Sequence, residues 1–199
     1  NDSLHYQFSS RLDTAIALRY GYVDVDTGAD MHFVEPQLQV GWRPVDKLRF
    51  DAHMGRQRRT FAASGLAPLN SSTYGVSAQY QPTETTALVF AADRGVSVSY
   101  FSNQVNENSG WNATFSQRLF QRFTLGGGYG RHRTRYIPAV VVIVTGRNDQ
   151  ISTFNLRFGT SFARRGHIAV FYQHTRNQSN TSGFGFSSNQ TGLEIGYRF

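Results

Sequence analysis

The sequence predicts an all-β fold: a transmembrane, antiparallel, up-and-down β-barrel of which about eleven or twelve strands are visible. Three observations predict it. Apolar and polar residues alternate with a period of two over segments of about ten residues, the pattern of a strand with one greasy and one wet face. Short connectors alternate with long ones, as in a meander whose tight turns share one end. The polar faces carry Gly, Ser, Gln and Asn, with Thr124, Gly126, Gly128 and Gly130 as an example, where a water-soluble sandwich or lipocalin-like barrel would show Lys and Glu. The apolar faces must then point outward.

The strand segments run in order over residues 3–10, 14–25, 32–43, 47–60, 72–82, 85–101, 110–119, 122–137, 150–163, 166–177 and 186–199. In the fourth, Leu48, Phe50, Ala52 and Met54 oppose Lys47, Arg49, Asp51 and His53. In the fifth, Tyr74, Val76, Ala78 and Tyr80 oppose Gly75, Ser77, Gln79 and Gln81. The ninth sets Phe154, Leu156, Phe158 and Phe162 against Asn155, Arg157, Gly159 and Ser161. Short connectors fall near Arg11-Leu12-Asp13, Pro44-Val45-Asp46, Thr83-Glu84, Phe120-Gln121 and Arg164-Arg165-Gly166. Longer ones fall near residues 26–31, 62–71, 103–109, 138–149 and 177–184. Trp42, Tyr80, Trp111, Phe123, Phe162 and Tyr197 sit near strand ends on the apolar face, where amphipathic rings mark a membrane–water boundary.

Composition removes other classes. The chain has 199 residues and no cysteine, which excludes disulfides, thiolate metal sites and a thiol nucleophile. No stretch approaches the roughly 18 apolar residues of a membrane helix, and the mean hydropathy of -0.42 is what half-wet strands average to. Asn1-Asp2-Ser3 is too polar to begin a signal peptide, so a secreted protein would stand here in mature or truncated form. The net charge of +7 is carried by arginine, Lys47 being the only lysine, and guanidinium forks favour anionic partners. Their placement at strand ends argues against nucleic acid.

The end of the chain, Gly192-Leu193-Glu194-Ile195-Gly196-Tyr197-Arg198-Phe199, resembles the terminal strand of bacterial outer-membrane barrels. Phe199, Tyr197, Ile195 and Leu193 match that assembly signal residue for residue. The resemblance implies a Gram-negative outer-membrane location and recognition by the barrel-assembly machinery. It also implies an even strand number with both termini periplasmic. Counted back from Phe199, residues 3–10 run from outside towards the periplasm, and the strand before them is missing. The single domain over residues 1–199 therefore lacks N-terminal strands or holds one strand more than the alternation reveals. A larger barrel of the polysaccharide-export kind is one such parent.

Three groups of candidate residues follow from the register. Arg19, Glu35, Arg49, Asp51, Gln79, Asn155, Arg157, Glu194 and Arg198 fall on the lumen face. Two readings stay open for them: a polar passage with mild anion preference, or charges that pair and fill the interior. Arg56, Arg58, Arg94, Arg131, Arg133, Arg135 and Arg176 continue the lipid-facing register beyond the apolar layer at the long-loop end. Charge on a lipid face is costly at mid-bilayer and nearly free at the interface, so these residues are placed to meet lipopolysaccharide phosphates. The bland alternative is a solvated rim. Finally Val140, Val141, Val142, Ile143 and Val144 form an apolar, β-branched stretch in the extracellular loop 138–149, which marks a hairpin extended above the membrane, a segment folded into the lumen or a protein-partner surface.

No catalytic or metal-binding set emerges. His53, His132, His167 and His174 fall on different strands, and neither a GxSxG nor an HExxH pattern occurs. No cofactor is expected. Three functions remain: a porin-like channel transporting small polar solutes or exported polysaccharide, a structural or adhesive barrel acting through its loops, and, more distantly, an outer-membrane lipid enzyme.

Overall fold

The computed structural model describes residues 2–24, 30–62, 68–98, 104–138, 146–162 and 165–197. Among these the chain forms eleven strands and no helix: β1 (Asp2–Ser9), β2 (Leu12–Val23), β3 (Met31–Val45), β4 (Leu48–Phe61), β5 (Leu69–Thr83), β6 (Thr86–Val98), β7 (Gln104–Leu119), β8 (Phe123–Pro138), β9 (Asn148–Phe162), β10 (Gly166–Ser179) and β11 (Phe186–Tyr197). Each strand pairs antiparallel with the next in a single sheet ordered β1 to β11. Every segment read from the alternation is present. The sheet is open, β1 and β11 each having one neighbour among the described residues.

The largest shift is at β7, which starts at Gln104, although Asn106-Glu107-Asn108-Ser109 reads as loop. That polar run pairs on both sides, Glu107 facing Val96 of β6 and Arg135 of β8. Ladder bonds are made by backbone and are indifferent to side-chain polarity, so hairpins continue past the apolar layer.

Register carries one apolar face across the whole sheet. Ile16 faces Leu38, Leu38 faces Met54 and Met54 faces Tyr74. Ala92 faces Trp111, Tyr129 faces Phe154, and Val170 faces Leu193. These side chains are open to the surroundings, 75% for Leu4 and 64% for Ile195. On the opposite face Glu35, Gln37, Gln57, Arg59, Ser71, Thr73, Asp149 and Asn177 are buried. A curved sheet crowds side chains on its inner side and splays them on its outer side, so the polar face is concave and the apolar face convex. This inversion suits acyl chains, in which each fully covered Leu or Phe gains about 1.5–3 kcal/mol.

Among the described residues, register shifts occur only beside short turns, between Gln7 and Ser9, Trp42 and Val45, and Tyr80 and Thr83. The β7–β8 turn has both central residues in the left-handed region, Phe120 at φ 49° and Gln121 at 61°. The Arg122 N–H donates to the Leu119 carbonyl at 3.2 Å, which closes a turn with two successive left-handed residues in a three-residue loop, without the Asn or Gly such positions favour. The Phe120 ring is 87% exposed, so no packing offsets the strain. Replacing Phe120→Asn together with Gln121→Gly is expected to stabilise the barrel by about 1–2 kcal/mol, read as a higher urea midpoint for unfolding from detergent.

Candidate lumen wall and outer rim

Strand pleat places Arg19, Glu35, Arg49, Asp51, Gln79, Asn155, Arg157 and Glu194 on the concave face, while Arg198 and Phe199 lie outside the described residues. The charges pair along the wall. Arg49 grips Asp51 on its own strand through Nε at 2.9 Å and Nη2 at 2.8 Å. Arg157 reaches across Ala169 to Glu194 at 2.9 Å, and the His167 Nε2 meets the other oxygen of Glu194 at 3.0 Å. Arg19 lies 3.5 Å from Glu35, its register partner. Because these pairs lie against the sheet, they satisfy one another without spanning the interior.

Rings on the concave face lie flat for a related reason. His53, His132 and His167 stand directly opposite Gly75, Gly110 and Gly196, and Phe33 and Phe171 opposite Gly21 and Gly192. In each pair the ring occupies the space a Cβ on the glycine would need. Each glycine thus lets its neighbour's ring fold onto the backbone instead of projecting inward. The polar face of β2 to β6 retains a recess of about 510 Å³ lined by Asp13, Gln39, Arg49, Asp51, His53, Ser77 and Asp93.

The convex face changes character near the long-loop end. Phe90, Trp111 and Tyr129 form a belt with centroid spacings of 6.3 and 5.5 Å, and Phe154 and Tyr172 continue it at 6.3 Å. Just beyond, register puts Arg56, Arg58, Arg94, Arg131, Arg133, Arg135 and Arg176 on this same face. Arg56, Arg58, Arg131 and Arg176 have no hydrogen-bonded or ionic partner among the described residues. Arg94 is bonded to Glu107 through Nη2, and Arg133 donates from Nε to Asn148 at 2.8 Å.

Two nodes at the rim escape sequence reading. The first is a step in the wall. Pairing of β5 with β6 stops at Tyr74 and Arg94, although β5 continues to Leu69 and β6 to Val98. Ser71, on the concave side of β5, donates to Glu107, on the convex side of β7, at 2.9 Å. Arg59 Nη2 donates to the Val96 carbonyl at 3.4 Å, and Val105 is left 1% exposed. The outer end of the β6–β7 hairpin therefore lies inside the wall made by β4 and β5. Beneath it Glu35 is buried, accepting from Thr73 Oγ1 at 2.5 Å, Gln37 at 2.7 Å and Gln57 at 3.1 Å.

In the second node Arg147 is sandwiched between the Tyr136 and Phe184 rings, 4.6 and 3.6 Å from their centroids. Its Nε donates to both oxygens of Asp149 at 3.0 and 2.9 Å. Asn180 ties the neighbouring loop to the Asn148 N–H at 2.8 Å and the Gly146 carbonyl at 3.1 Å. No alternation signals an arginine in a loop. The apolar stretch Val140, Val141, Val142, Ile143 and Val144 lies outside the described residues.

Both nodes rest on carboxylates. The Arg147 fork holds Asp149 below its ordinary value despite burial. Burial pushes Glu107 up, but hydrogen bonds from Arg94 and Ser71 outweigh it and leave Glu107 lowered. A depressed folded-state pKa gives stability that is complete above the ordinary carboxylate range and is lost as pH falls through the folded value. Amide protection of residues 146–149 and 104–107 is expected to hold at pH 7 and to decline below about pH 4, measured by hydrogen exchange, while protection at mid-strand persists.

No family model and no curated protein matches the sequence. Solved structures share its fold. The chain superposes on a loop L8 deletion mutant of OmpT, an outer membrane protein of Vibrio cholerae, with TM-score 0.52 and 15% identity over 98% of this chain and 61% of that one. It superposes on BauA, the ferric preacinetobactin receptor of Acinetobacter baumannii, with TM-score 0.58 and 10% identity over 97% of this chain and 41% of that one. A third match, the copper transporter OprC, has TM-score 0.57 and 11% identity over 93% of this chain and 38% of that one. The chain thus spans less than two thirds of the length of each. The outward apolar band, the unbroken meander and these superpositions give the chain the fold of the bacterial outer-membrane β-barrels, proteins embedded in that membrane by their strands.

Proposed function

We propose that this chain forms part of the wall of a porin-like channel that passes small polar solutes. The observation that carries the reading is the state of the concave face. Its ion pairs run along the sheet and its rings lie on glycines, so the side chains line the interior without bridging it. A filled barrel needs the reverse, with long side chains meeting across the axis. Amides at Gln39, Gln79, Asn112, Asn155 and Gln173 offer hydrogen bonds to hydroxylated solutes without selecting a charge. Because Asp51 and Glu194 are matched by Arg49 and Arg157, the anion preference expected from the arginines alone is muted.

A second reading, a surface barrel working through its loops, is favoured by the two locked nodes at the rim, which hold loop ends in fixed shape. Conductance separates the two. Full-length protein in planar bilayers should give stable, ohmic steps with weak ion selectivity. Glu194→Gln unpairs Arg157 and is expected to raise anion over cation permeability about twofold. Absence of steps at any voltage would leave the loop-based reading in its place. Lipase and deacylase assays on purified protein address the lipid-enzyme alternative.

A further inference from the structure

The step between β5 and β6 shapes the lipid side as well as the lumen. Where the β6–β7 hairpin leaves the edge of β5, the convex face is notched. A recess of about 470 Å³ opens there, lined by Tyr74, Phe90, Ala92 and Trp111 towards the membrane and by Ser109, Arg131, Arg133 and Gln150 towards the outside. Its lining divides by chemistry. The inner half is aromatic and aliphatic, continuous with the Phe90–Trp111–Tyr129 belt. The outer half holds two guanidinium groups on neighbouring positions of one strand face, with a serine hydroxyl beside them on β7: Trp111 faces Arg131, and Ser109 faces Arg133.

The charge of this half is not spent on the protein. Arg131 has no ionic or hydrogen-bonded partner among the described residues, and Arg133 uses only Nε, on the amide of Asn148. The nearby carboxylate, Glu107, is already committed to Arg94 and Ser71. Exposed guanidinium forks over an aromatic floor, at the depth where the apolar layer ends, match one kind of occupant: an amphiphile whose phosphate meets the forks and whose acyl chain lies along Phe90, Ala92 and Trp111.

We propose that this notch is a specific site for a phosphorylated, acylated lipid of the outer leaflet, with Arg131, Arg133 and Ser109 holding the phosphate and Trp111 and Phe90 the first part of an acyl chain. Arg56 and Arg58 on β4 lie on the same face outside the recess and serve only as diffuse charge. The site is independent of whether the lumen conducts.

The chain has two tryptophans, Trp42 near a short turn and Trp111 in the notch. Full-length protein in which every tryptophan except Trp111 is replaced by Phe, Trp42 included, therefore reports the notch by fluorescence. In detergent, lipopolysaccharide should shift Trp111 emission saturably. Dephosphorylated lipopolysaccharide should bind about tenfold more weakly, and inorganic phosphate at millimolar concentration should leave the emission unchanged. Arg131→Ser with Arg133→Ser should weaken lipopolysaccharide binding about tenfold, against less than about twofold for Arg56→Ser with Arg58→Ser. Equal losses in the two double variants would overturn the site in favour of a diffuse charged rim. Equal binding of the dephosphorylated lipid would overturn the phosphate assignment, and a phosphate-induced shift would reassign the notch to a small-ion site. Should Arg131→Ser with Arg133→Ser fail to fold, the comparison of the two lipids on the protein with Trp111 as its single tryptophan decides.

Discussion

Everything in this molecule depends on the backbone ladder holding its register while it crosses hydrocarbon. In a bilayer an unpaired N–H or C=O has no water to turn to, at a cost of several kcal/mol for each group. A slip by one residue would also exchange the two faces of a strand. The sheet meets both demands together: its register shifts are confined to positions beside short turns, and from β2 to β11 the apolar side chains stay on one side without interruption. The lumen wall and the rim are consequences of that fidelity, since each takes its position from the parity of a residue along its strand.

Above the apolar layer the same constraint relaxes, and there the wall departs from regularity. Water can satisfy the strand edges, so β6 is free to leave β5 and carry its hairpin to the inner side, where Val105 is buried and Glu107 meets Ser71. One displacement thus has two effects. It crowds the concave side over Glu35 and Arg59, and it opens the notch beneath Arg131 and Arg133 on the lipid side. The Arg147 sandwich anchors the opposite sector by closing two loops onto one buried carboxylate.

What the sequence made legible follows the same boundary. Where lipid enforces alternation, the period of two located all the strands, the outward face of Trp42, Tyr80, Trp111, Phe123, Phe162 and Tyr197, and the parity of every lumen and rim residue inside the described range. Where it does not, the pattern is silent. Asn106 to Ser109 carry no apolar partner residues, so a paired strand looks like a loop. The bond from Ser71 to Glu107 joins opposite faces of two strands, which no alternation rule anticipates. Arg147 depends on Tyr136 and Phe184, brought to it from a strand end and a distant loop.

The ring-over-glycine pairs of the concave face have a consequence for how such a wall can change. The relief of this face is set by couples of residues on adjacent strands, so the size tolerated at one member depends on the other. Enlarging Gly75 lifts the His53 imidazole off the backbone and away from the sheet, whereas shrinking His53 leaves a pit that a larger side chain at Gly75 would fill. The relief of the concave face is therefore adjustable by compensated exchanges across a strand boundary, with the fold untouched, and the pairs at Gly110 and His132 and at Gly196 and His167 provide the same adjustment at two further places on the sheet.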